Sequence, residues 1–132
     1  MSETNLIDEF DVIDEAIETL ESDQQNNRKS LDQLLSKASI LCARLLTLYA
    51  SAYDKTLPDN EDLLVLFKAF VKGDTSLTAV RDNVRELVYY RNCILEDRHD
   101  ALPKQPEKMT VHTIRHIYLY LRSRADQEGL LD

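Results

Sequence analysis

The sequence predicts an all-α fold, a single-domain bundle of four to five helices, mostly antiparallel, over residues 1–132. Three observations lead there. Only 2 glycines and 3 prolines interrupt the chain, so few positions break a helix. Apolar residues recur at steps of three and four, the period of a helix with one buried face. The length suits one domain with a core of its own.

The first helix is expected over 4–23. Leu6, Phe10, Ile13, Ile17 and Leu20 form one narrow seam, opposite a wide acidic face. Such a helix is marginal alone and must dock its seam. Asn and Ser residues near position 26 compete for backbone hydrogen bonds and break the pattern. The second helix, 30–54, opens on Ser30 with Gln33 three residues on, a capping-box pattern. It carries two apolar stripes, Leu34–Leu41–Leu45–Leu48 and Leu35–Cys42–Leu46–Tyr49, so it is expected to be buried on two sides at the centre of the bundle.

Pro58, Asp59 and Asp62 mark the start of a short third helix, 60–72, apolar nearly all round and stopped by Gly73. The fourth, 76–99, has a seam of Leu77, Val80, Val84, Leu87 and Ile94. Arg91 and Arg98 fall at seam positions, and the acids of the first helix are their expected partners. Arg85, four residues before Tyr89, is expected to stack on it. Pro103 and Pro106 predict an extended loop. Thr110 is expected to cap the last helix, 111–127, with its apolar face at Val111, Ile114, Ile117, Tyr118 and Leu121.

Charge narrows the function. The net charge is -8, and residues 1–27 hold nine acids, Glu3 and Asp23 among them, with no lysine or arginine. A polyanionic surface repels phosphate backbones, which disfavours nonspecific nucleic-acid binding. No apolar run is long enough to cross a membrane uninterrupted. Cys42 and Cys93 lie in apolar helical patterns without CxxC spacing, as buried thiols of a reducing compartment do, so a cytoplasmic location is expected. No glycine-rich phosphate loop is present, and no cofactor is expected.

Leu87-Val88-Tyr89-Tyr90-Arg91-Asn92-Cys93-Ile94 resembles the Arg-Asn helix segment of HEPN domains, small helical bundles that include toxin and defence ribonucleases. The resemblance covers the last third of the chain. It implies an RNA-directed site at Arg91 and Asn92, with His99 as the histidine. Family spacing leaves a gap of four to six residues between arginine and histidine, so Glu96 stands at the shortest spacing and His99, eight after Arg91, one beyond the longest, which points to a degenerate relative. On one continuous helix those two residues lie about 80° apart.

His112 and His116, four apart on the last helix, share a face and suggest a metal, but they lack the glutamate of HExxH and further ligands. Glu96 to His99 is a lone ExxH string, half of what a bundle di-iron site needs. The leading expectation is therefore a small acidic, non-catalytic protein that binds other proteins, as a homodimer or a subunit of an assembly. Its candidate contacts are Asp8, Asp11, Glu15 and Glu18 on the acidic face, with Tyr90 and Tyr120 as an exposed aromatic patch.

Overall fold

The computed structural model of the protein describes residues 5–131, so Glu3 and the expected helix start at Thr4 lie outside the described residues. Asn5 accepts a hydrogen bond from the Ile7 N–H at 3.0 Å and opens α1, Leu6–Gln25. Phe10, Ile13, Ile17 and Leu20 are buried as the seam requires. The Ser30–Gln33 capping box forms in both directions and opens α2, Leu31–Ser51. Asp62 caps α3, Leu63–Val71. A 3-10 turn, Thr75–Val80, leads into α4, Arg81–Leu95, and a second, His99–Ala101, follows it. The chain closes with α5, Pro106–Gln127. Among the described residues there is no strand.

The core is built on the α2–α5 pair. α1 packs against both on one side, and α3 and α4 cover the other. The central place of α2 is as its two stripes demand. α5 shares that place, with Val111, Ile114, Ile117, Tyr118 and Leu121 all buried. By length and composition α2 is apolar enough to cross a membrane, at a mean hydropathy of 1.2 over its best window. In this fold its apolar stripes are instead covered by the other helices, and Lys37 and Arg44 interrupt its outer face.

The second helix ends three residues sooner and the third starts three residues later than expected, and the bounds of the fourth and fifth depart further. The fourth helix is α-helical only over 81–95. Its end is set by Asp97, held at φ 55, with the Arg98 N–H donating back to the Cys93 carbonyl at 2.6 Å and the Asp97 N–H to that of Ile94 at 3.1 Å. This is a Schellman closure with an aspartate where glycine is usual. α1, α2 and α5 close the same way, on Asn27, Asp54 and Gly129. The last helix starts five residues earlier than expected, because Pro106 occupies its first turn, where a missing N–H costs nothing. Thr110 is thus no cap. It lies inside α5, and its hydroxyl donates to the Pro106 carbonyl at 2.7 Å.

Candidate protein-docking groove

The acidic face of α1 is anchored by α5, not by α4. Arg115 donates from Nη1 to Asp14 at 2.6 Å and from Nη2 to Glu21 at 2.8 Å. Arg122 reaches Asp11 at 2.8 Å. Both guanidiniums also lie over the Tyr118 ring, 5.3 and 5.9 Å from its centroid. The cation–π contacts therefore fall on Tyr118 rather than on the expected Arg85–Tyr89 pair. The hydrogen bond from Arg115 to Glu21 is the main reason its guanidinium is held even more firmly protonated than usual. Asp23 is buried and lies 3.7 Å from Lys29. Of the expected acidic contacts, Asp11 is thereby tied down, while Asp8, Glu15 and Glu18 are exposed and carry no ion pair among the described residues.

Arg91 and Arg98 do not meet the acids of α1. The buried stripe of α4 runs Val84, Leu87, Tyr90 and Cys93. Steps of three residues turn only about 300°, so the stripe winds about 60° per step around the helix and passes Arg91 by. Arg91 is exposed for that reason. Arg98 lies beyond the helix end, exposed, with its Nε 3.3 Å from Asp100. The same winding inverts the tyrosine expectation. Tyr90 is buried, its hydroxyl donating to Glu86 at 2.5 Å, and Tyr89 is the exposed neighbour. Tyr120 is half-buried, its hydroxyl 3.3 Å from the Ser76 carbonyl. Tyr90 and Tyr120 thus form no exposed aromatic patch.

Asn92 is exposed beside Arg91, and both line an open groove. His99 does not line it. The helix has ended by then, so the 80° helical offset does not apply, and the His99 ring is 3.2 Å from Asp97 in the following turn. His112 and His116 are both exposed on α5. Among the described residues no group of three or more potential ligands gathers around them or elsewhere.

The groove itself runs along the outward face of α2. One hollow of about 720 Å³ lies between α1, α2 and the α2–α3 connection, with Glu9, Val12, Arg44 and Asp59 among its walls. A second, of about 710 Å³, lies between α2, α3 and α4, with Ile40, Leu64, Leu95 and Arg91. Ala43 and Asn60 line both, so the two hollows adjoin along α2. Large apolar side chains stand open along it: Val12 is 57% exposed, Ile40 53%, Leu64 43% and Leu95 73%. Ser39 sits in its floor, 8% exposed, and its hydroxyl has no hydrogen-bond partner among the described residues. The sequence carried a signal for this groove. Val12, Ile40 and Leu95 are apolar residues that belong to no seam, and Leu64 lies on the surplus apolar side of α3.

Where α5 ends, a polar cluster gathers that no sequence pattern marks. The Glu128 carboxylate accepts from the Tyr49 hydroxyl at 2.5 Å, from the Tyr53 hydroxyl and from Arg124 at 3.0 Å. The two tyrosine hydrogen bonds hold it below the usual carboxylate range; burial opposes them, and Arg124 adds a smaller lowering effect. Arg124 continues to Asp74 at 3.0 Å, and Lys55 donates to the Phe70 and Lys72 carbonyls at 2.7 and 2.6 Å. These contacts fasten the end of α5 to the ends of α2 and α3. Cys42 is fully buried, and burial pushes its thiol up to about 12, which leaves it inert. No protein-family model, curated protein or solved structure matches the chain.

Proposed function

We propose that the protein is a non-catalytic binding protein that docks another protein in the groove along α2. The observation that supports this is the row of open apolar side chains from Val12 through Ile40 to Leu64 and Leu95. A folded surface that leaves such a row along two adjoining hollows has apolar area to gain from a partner. The unpaired acids Asp8, Glu15 and Glu18 on α1 add a field that favours cationic partners. The test is affinity capture of the full chain from its source cells, comparing wild type, Ile40→Gln with Leu95→Gln, and Leu119→Gln. Leu119 is 52% exposed on α5, away from the groove. Partners retained by wild type and Leu119→Gln but lost from the double variant are expected. Partners retained by the double variant overturn the assignment.

The RNA-directed reading implied by the HEPN resemblance is favoured by one observation, the exposure of Arg91 and Asn92 in an open groove. Glu61 and Asp62 line that same hollow and oppose a phosphate there. Binding of single-stranded RNA by wild type and its loss in Arg91→Ala is the result that would promote this reading over the first.

A further inference from the structure

We propose that the occupant of the α2 groove is an amphipathic helix with cationic flanks, supplied by another protein. This rests on the protein-docking reading above and specifies its partner.

Length and backbone chemistry argue for a helix. The two hollows follow α2 from Ser36 to Ser51, fifteen steps along the helix, which at about 1.5 Å per step is roughly 22 Å. That is about four turns of a partner helix. Apart from the α2–α3 connection the walls are helices, whose backbone groups pair within them, and among the described residues there is no strand edge for an extended peptide to join. An extended segment would leave its N–H and C=O groups unmatched against apolar walls, whereas a helix satisfies its own. The open side chains at Ile40, Leu64 and Leu95 line one hollow and offer apolar contacts to the stripe of such a helix.

Charge decides its flanks. The groove walls bring Glu9, Asp59, Glu61 and Asp62 against only Arg44 and Arg91. Asp8 and Glu15 stand exposed on the adjoining surface of α1. A second copy of this chain, at a net charge of -8, would set like charge against like. A helix with lysine or arginine on both sides of its apolar stripe meets the acids instead.

The probe is a labelled 15-residue synthetic helix with leucines at positions 1, 5, 8 and 12 and lysines beside that stripe, with a glutamate-flanked isomer as its counterpart, an arrangement set by the helical repeat of about 3.6 residues. Fluorescence anisotropy with the full chain is expected to show the lysine peptide binding at least ~10-fold tighter than the glutamate peptide, with affinity falling as salt rises. Ile40→Gln with Leu95→Gln is expected to weaken the lysine peptide ~10-fold, and Asp59→Asn with Glu61→Gln to narrow the preference between the two peptides. Both pairs are exposed surface changes, and circular dichroism confirms that each variant stays folded. Equal affinity for the two peptides, or undiminished binding by the Ile40/Leu95 variant, overturns the inference. So does a dimer in sedimentation that dissociates in that variant, which would make a second copy the occupant. Failure of both peptides with a partner still captured through the groove removes the cationic helix and leaves the docking reading standing.

Discussion

Replacing Arg115 by methionine removes the clamp between α1 and α5 while keeping most of the side-chain volume. The arginine side chain is 20% exposed, and its partners Asp14 and Glu21 are 33% and 32% exposed. Fully exposed pairs contribute about 0.2–1 kcal/mol, and breaking a buried one costs about 3–5 kcal/mol. This cluster lies between those limits, and the substitution also leaves two acids facing each other, so a loss of about 2 kcal/mol is expected. At about 2.1 cal/mol/K per residue, 132 residues give an unfolding entropy near 0.28 kcal/mol/K, and the melting temperature should fall by about 7 °C. Thermal unfolding followed by circular dichroism reads this directly. A cycle with Glu21→Gln should return a coupling of about 1 kcal/mol. Raising the salt to 1 M, where the Debye length shrinks to about 3 Å, should reduce it. A fall below ~2 °C, the scale of an ordinary surface substitution, or a zero coupling, refutes the claim that α5 holds the acidic helix in place.

Three further outcomes follow from other sites. Glu128 has a depressed native pKa, so it adds stability above the unfolded value of about 4.3 and loses it as pH falls through the native value. Glu128→Gln should therefore lower the melting temperature at pH 7, with the gap to wild type closing below about pH 4; a gap independent of pH contradicts the assigned network. Ser39→Ala removes a buried hydroxyl without a partner, whose burial costs about 1–3 kcal/mol, and should leave stability unchanged or raised in denaturant unfolding; a clear loss would show a partner for that hydroxyl. Asp97→Gly relieves a left-handed aspartate at φ 55 and should stabilise by about 0.5–1 kcal/mol, whereas destabilisation would count against the Schellman closure of α4.

The helices were legible wherever their apolar seams were regular. The Ser30–Gln33 box, the seam of α1 and the five apolar positions of α5 all lie where spacing puts them. What spacing did not reveal was drift. Arg91 and Tyr90 are adjacent, and which of them continues the stripe below Leu87 depends on where α2 and α5 lie, not on α4 alone. Arg98 entered the seam only because the left-handed turn at Asp97 carries an unmarked residue type. The proline at 106 looked like a loop signal and serves as a helix start. The ion pairs joining α1 to α5 are separated by about a hundred positions, as in the Arg115–Asp14 bond, beyond the reach of any local pattern. The groove was not read from the sequence, because apolar residues outside every seam, such as Ile40 and Leu119, lie both in the groove and away from it.

The central claim is that the outward face of α2 is the binding face. The measurement that tests it most directly is methyl-resolved nuclear magnetic resonance of the labelled chain, titrated with the partner recovered by capture. Resonances of Val12, Ile40, Leu64 and Leu95 should shift together and saturably, with those of Met109 and Leu119 on the outer side of α5 unmoved. Shifts centred on Met109 and Leu119, with the α2 groove silent, would contradict the account.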